Sequence, residues 1–164
     1  MNINLNLLNF IYILTIDCFM KQSEKILGAI GRSYYLLQSN SNLNDNIPKI
    51  LSFLGEASDV DRIYIFKNHL AKDGELLFSY KFEWCAEGVE PQIDLELLQN
   101  APWSIYPEVL AKLSKNEVIN ELVRDTVNKD FYETMNEQGI LSYLFIPVFS
   151  GDVFWGFIGF DNCK

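Results

Sequence analysis

"SYLFIPVFSGDVFWGFIGF", Ser142 to Phe160, is the stretch that decides the fold. Two runs of β-branched and aromatic residues flank Ser150-Gly151-Asp152, a turn-forming triplet, and this predicts a hairpin. Both runs are apolar at odd and even positions alike. Strands of that kind are covered on both faces, so the pair belongs in the middle of a sheet, with helices on one face and a covered cavity on the other. Gly156 and Gly159 interrupt the second run, and a glycine inside a strand marks the close approach of another backbone or of a ligand.

Upstream, "RIYIF" (Arg62–Phe66) and "LLFSYKFEWC" (Leu76–Cys85) read as a second hairpin, closed by "NHLAKDGE" with Asp73-Gly74 as its tight point. "EVINELV" (Glu117–Val123) is a short strand. Between them Ser104 is expected to cap, and Pro107 to start, a short helix burying Val109, Leu110 and Leu113. Asn128 to Gln138 is a second helix, capped by Asn128, buried through Phe131 and Met135, and closed by Gly139. Before the sheet, "SNSNLNDN" (Ser39–Asn46) is a polar linker; Pro48 in a first turn and the stripe Ile47, Ile50, Leu51, Leu54 predict a helix to about Ala57. The resulting fold class is α+β: a central antiparallel sheet of five to six strands with helices on one face and loops with short helices over the other.

From Met20 to Leu37 the apolar residues Met20, Leu27, Ile30, Tyr34 and Leu37 recur at heptad spacing, with Ser23 filling the gap. Two readings fit: a helix on the domain's own core, or a parallel two-helix dimer contact whose seam is Leu27, Ile30, Tyr34 and Leu37. Ahead of it "INLNLLNFIYILTI" (Ile3–Ile16) is apolar but studded with Asn4, Asn6 and Asn9. It falls short of the ~20 apolar residues of a spanning helix and lacks the basic region and cleavage site of a signal peptide. It packs on the domain, ends a membrane anchor, or precedes a start at Met20. The chain divides accordingly into an extension (1–18), a helix with linker (19–46) and the sheet domain (47–164).

The 164 residues are one domain's worth, 49% hydrophobic, with 13 basic against 22 acidic residues and a net charge of −9. Such a chain repels phosphate backbones, which excludes a nucleic-acid role. Its three cysteines, Cys18, Cys85 and Cys163, are far apart and form no C-x-x-C pair, so they make neither a disulfide framework nor a zinc site, and a reducing cytoplasm suits them. The lone histidine, His69, reads as a solvated turn residue. With no second histidine, no G-x-S-x-G and no Walker loop, a nucleophile with its base is not in view. The paired carboxylates Glu87 and Glu90, and Asp59 and Asp61, fall in hydrophilic loops. Cys85 is the single best chemical candidate, but Glu83 and Glu87 disfavour its thiolate. The aromatics Trp84, Trp103, Tyr106, Phe131, Tyr143 and Phe157, with Cys85, are the candidate walls of a small-ligand pocket.

The blocks "DVDRIYIFKN" (Asp59–Asn68), "YKFEWCAEGVEPQID" (Tyr80–Asp94), "LQNAPW" (Leu98–Trp103), "NEQGILSYLFIPVF" (Asn136–Phe149) and "FWGFIGFDNC" (Phe154–Cys163), in that order, resemble the GAF domain family. The likeness covers about Ile47 to Cys163 and is to modules of bacterial sensors that precede histidine kinase or diguanylate cyclase output domains. It implies a non-enzymatic regulatory module, a six-stranded type of sheet, a pocket opposite the main helices and a homodimer formed through terminal helices. It also implies a cytoplasmic location, with tethering to a membrane in a longer parent left open, and an output domain in cis if these residues are part of a longer chain. Related domains continue past the last strand into a connecting helix, which the sequence to Lys164 lacks; Ile3–Ile16 is then expected to help cover bare sheet. Some relatives carry a bilin on a cysteine next to a histidine, but Cys85 is followed by Ala86 and Cys163 by Lys164. Cyclic-nucleotide binders carry an Asn-Lys pair with a later Asp-Glu pair; "NKDF" (Asn128–Phe131) echoes the first without the second. Neither cofactor is expected. A branch that reduces methionine sulfoxide with clustered cysteines leaves a redox role for Cys85 as the alternative function.

Overall fold

The computed structural model describes residues 5–39 and 42–163, with side chains from Thr15 onward. The chain divides into two compact units, residues 1–58 and 59–164.

The first unit is a pair of helices. α1 spans Leu5–Gln38 and α2 spans Leu43–Ser58. They run antiparallel: Gln22 Nε2 donates to the Ala57 carbonyl near the end of α2 (2.8 Å), and Asn46 Nδ2 donates to the Leu36 carbonyl near its start (2.9 Å). Ala29 and Ser33 are buried on α1, and the guanidinium of Arg32 lies over the Phe53 ring at 4.8 Å. α2 begins a turn earlier than its sequence predicts. Asn42 Oδ1 accepts from the Asn44 amide, so part of the polar linker is helix and Pro48 sits beyond the first turn. α1 runs unbroken from Leu5 past Met20; the side-chain packing expected of Ile3–Ile16 lies outside the described residues up to Leu14. Among the described residues no helix is long and apolar enough to cross a membrane.

The second unit is a six-stranded antiparallel sheet in the order β3-β2-β1-β6-β5-β4. The strands are β1 (Arg62–Leu70), β2 (Leu76–Cys85), β3 (Ala101–Pro102), β4 (Ile119–Leu122), β5 (Ser142–Ser150) and β6 (Val153–Asn162). β6 lies between β1 and β5, as its two-sided apolar sequence requires. Its glycines are there for close approach. A Cβ on Gly156 would run into the Phe66 carbonyl, and one on Gly159 into the Tyr64 ring. α3 (Pro107–Leu113), α4 (Lys129–Glu137) and short 3-10 turns at Glu96–Leu98, Trp103–Ile105 and Val123–Asp125 complete the unit. Asn128 caps α4 as its sequence predicts, its Oδ1 accepting from the Phe131 amide at 2.9 Å. Ser104 does not cap α3; its hydroxyl donates to Glu75 instead, and Pro107 alone sets the helix start. His69 is not in a turn but in β1, paired with Leu77, its Nε2 3.1 Å from Asn100 Oδ1.

Candidate functional site

The β1 sequence places Arg62, Tyr64 and Phe66 on one face by simple alternation. Phe78 and Tyr80 from β2 and Phe145 and Phe157 from the central hairpin join them in one buried cluster. The rings meet edge to face, stacked or tilted: Phe66 lies 4.5 Å from Tyr80 and 5.0 Å from Phe157, and Phe78 lies 4.7 Å from Trp103. Trp103, Tyr106, Phe131 and Met135, with Leu98, bring the 3-10 turns, α3 and α4 over that face. Asn68 locks Trp103 in place, its Oδ1 accepting from the indole Nε1 at 2.9 Å while its Nδ2 donates to the Phe154 carbonyl.

This wall encloses a cavity of about 50 Å³. Of the aromatics singled out in the sequence, Trp103, Tyr106, Phe131 and Phe157 line it. Tyr143 stands behind Phe131 (5.5 Å between rings) and faces a second, more open recess of about 390 Å³ bordered by Glu108, Lys112, Glu121 and Asp125. There the Tyr143 hydroxyl donates to Glu121 (3.0 Å); burial and that carboxylate push it up to about 12. Trp84 and Cys85 lie outside the cavity wall. For Trp84 the reason is a β-bulge. Ile65 opposes Phe82 but Phe66 opposes Tyr80, so Lys81 is an extra residue in β2. Beyond it the alternation reverses: Trp84 opposes Ile63 on the other face, and Glu83 opposes Tyr64 on the cavity face.

At one end of the cavity sits a buried polar knot that sequence reading does not single out. Arg62, Glu83 and Asp161 have side chains only 2%, 4% and 1% exposed. Arg62 Nε lies 3.5 Å from Glu83 and Nη1 3.7 Å from Asp161, while Nη2 donates to the Glu90 carbonyl. Glu83 accepts from the Tyr80 hydroxyl (2.9 Å) and from the amides of Gln92 and Ile93, which ties the loop after β2 to the strand. Asp161 Oδ1 accepts from the Tyr64 hydroxyl at 2.9 Å. Burial drives the Asp161 carboxyl up to about 7; Tyr64 and Arg62 pull the other way without prevailing. Asp61 is not a solvated loop charge: its Oδ2 accepts from the Cys163 amide at 2.7 Å, and its carbonyl accepts from the Ala86 amide.

Cys85 opposes Arg62 at the end of β2. Burial first, and Glu83 second, push its thiol up to about 11, the reverse of an activated nucleophile. Arg62 is flanked by Cys85 on one side and Asp161 on the other, so Cys85 and Asp161 are two strand spacings apart, about 9.5 Å. Among the described residues no group of histidine, cysteine and carboxylate side chains is placed to hold a metal ion.

No family model matches the sequence. Over 144 residues the chain is 38% identical to the methanogenesis regulatory histidine kinase FilI of Methanothrix harundinacea; the match takes in 85% of this chain and 16% of that protein. Among solved structures, the phycocyanobilin-bound GAF domain of a cyanobacterial phytochrome superposes with a TM-score of 0.68 at 20% identity, over 84% of this chain and 79% of that one. The phycoerythrobilin-bound GAF domain of a cyanobacterial phytochrome gives 0.69 at 17% identity, over 87% and 83%. The chromophore-binding domain of a bacteriophytochrome from R. palustris gives 0.66 at 16% identity, over 88% and 54%. The six-stranded antiparallel sheet, with short helices enclosing a small volume against one face, defines an α+β domain of the kind foreseen from its central hairpin. The fold is that of a GAF domain.

Proposed function

We propose that the chain is a non-catalytic sensory module of a signal-transducing protein, working as a homodimer whose helix geometry is the signal. The observation that carries this reading is on α1. Ile16, Met20, Leu27, Ile30, Tyr34 and Leu37 follow one another at heptad spacing, with Ser23 in register, and each is between 45% and 67% exposed. The stripe is distinct from the one bearing Ala29 and Ser33, which is buried. A bare heptad stripe of this length matches the seam of a two-helix coiled coil. The 38% identity to a stretch of a regulatory histidine kinase supports a place within such a protein. The cysteines Cys18, Cys85 and Cys163, none of them in a disulfide, suit a reducing cytoplasm.

The cavity is the input on this reading. A molecule held there shifts the dimer only as far as it binds one helix geometry more tightly than the other. The bilins of the similar phytochrome domains do not fit. Drug-sized ligands occupy roughly 300–1,000 Å³, the enclosed volume is about 50 Å³, and neither Cys85 nor Cys163 lines it. The cysteine-based redox alternative meets a thiol pushed up to about 11.

Sedimentation equilibrium tests the proposal. The wild type sediments as a dimer, and Leu27→Asp with Ile30→Asp, both on the exposed side of α1, gives a folded monomer. A wild type that stays monomeric up to high micromolar concentration overturns it.

A further inference from the structure

The polar side chains that border the cavity are committed elsewhere. The hydroxyls of Tyr64 and Tyr80 donate to Asp161 and Glu83. The Trp103 indole donates to Asn68. The Thr134 hydroxyl donates to the Asp130 carbonyl and pairs with the Tyr106 hydroxyl, and Gln138 donates to the Thr134 carbonyl. Arg62 is the one charged residue of the wall, and its charge faces the knot. Its Nε is buried against Glu83 Oε1 at 3.5 Å, Nη1 stands 3.7 Å from Asp161, and Nη2 donates to the Glu90 carbonyl. What the wall offers to an occupant is rings and aliphatic groups: Phe66, Phe145 and Phe157 from the strands, and Leu98, Phe131 and Met135 from the elements over them.

Polarity and size together select the occupant. A polar molecule entering gives up its hydrogen bonds to water and finds no buried donor in exchange, and an ion loses more. A water is in the same position, since a buried water needs roughly two to four polar partners. An apolar molecule has no such bonds to lose, leaves water favourably, and gains dispersion contacts with polarizable rings and a thioether. The cavity, at about 50 Å³, is about one third of the ~150 Å³ apolar cavity that stays dry and takes benzene or xenon, so it has room for roughly two heavy atoms.

We infer that the cavity takes an apolar molecule of about two heavy atoms, of the class of the lightest hydrocarbons and dissolved diatomic gases, held by the aromatic wall without a hydrogen bond. This deepens the proposed function and rests on its reading of the cavity as the module's input.

Three probes of nearly one shape separate the possibilities in an NMR shift titration of the full chain: ethane is apolar, methanol polar and methylammonium charged. Ethane under pressure is expected to move the ring resonances of Phe66, Phe145 and Phe157. It is expected to bind at least about tenfold more tightly than methanol, the equivalent of one hydrogen bond left unmade. Methylammonium leaves those resonances unmoved, and so does benzene, which is too large. Val109→Phe, at a half-buried position of the wall, fills the space and abolishes the ethane shifts. Ile140→Ala, at a buried position of the wall, enlarges the space and admits benzene. If methanol or methylammonium binds as well as ethane, or benzene enters the wild type, the ligand class is wrong while the cavity stands as the input site. If the ethane shifts persist in a folded Val109→Phe, or Ile140→Ala folds and still excludes benzene, ethane sits elsewhere and the inference falls. If none of the probes enters, the reading of the cavity as a ligand site falls, and the inference with it.

Discussion

Asp161 carries a cost that the rest of the sheet offsets. Its carboxyl is almost fully buried, its Oδ2 makes no hydrogen bond, and burial holds it at about 7 against an ordinary value near 3.8. The folded chain therefore keeps a proton that the unfolded chain releases. The stabilisation is complete below the ordinary carboxylate range and is lost as pH rises to about 7, by an amount on the order of a few kcal/mol. Urea unfolding between pH 4 and pH 8 is expected to show this decline, and Asp161→Asn to flatten it. Gly159 is the other sensitive position. A methyl group there meets the Tyr64 ring, which is itself held by Asp161, so Gly159→Ala is expected to destabilise by about 1–3 kcal/mol in the same measurement. Trp84 shows why single residues resist reading from sequence. Counting by twos from Phe78 and Tyr80 puts it on the cavity face, and only the extra residue at Lys81 turns it away. The same bulge brings Glu83 onto the cavity face, where it becomes a clamp for the loop rather than a neighbour that merely suppresses Cys85. A bulge leaves no mark in the hydrophobic pattern, since Phe82 and Trp84 are apolar on either parity.

At the scale of elements, the strands and α4 were legible because their signals are local. Alternation and two-sided apolar runs mark β1, β2, β5 and β6, and the Asn128 cap with Gly139 frames α4. Asn128→Ala removes the acceptor of the Phe131 amide and is expected to cost about 1 kcal/mol in thermal unfolding. Because Phe131 stands between the cavity and the recess at Tyr143, the same variant should broaden the Phe131 ring resonances. Other elements had no local signal to read. β3 is two residues long and exists only through its pairing with Leu77 and Phe78. The start of α2 rests on Asn42, buried in a run of polar residues that all cap well. Ser104 looked like a cap because the residue type is right, but its hydroxyl is drawn to Glu75 on the neighbouring hairpin. Arg62 was visible as a charge at the head of a strand; that it is buried between two carboxylates follows only from the antiparallel register of β2 and β6.

Two features of the chain matter at the largest scale: a sheet unit with a small aromatic-lined cavity, and, in the other unit, a long helix whose heptad stripe is left bare. The first follows from an interior in which aromatic rings from four strands and the overlying turns meet within about 6 Å of one another. The second was visible in the spacing of Leu27, Ile30, Tyr34 and Leu37, although spacing alone left open whether the stripe was interior; its exposure shows that it is not buried within this chain. The central claim is that this surface joins two copies. Native mass spectrometry of the protein as purified from cells tests it most directly, since it reads stoichiometry and any retained small molecule in one spectrum. The account predicts the mass of two chains, collapsing to one on Leu27→Asp with Ile30→Asp. A wild-type spectrum showing the single chain alone, under conditions that preserve a known coiled-coil dimer, would contradict it.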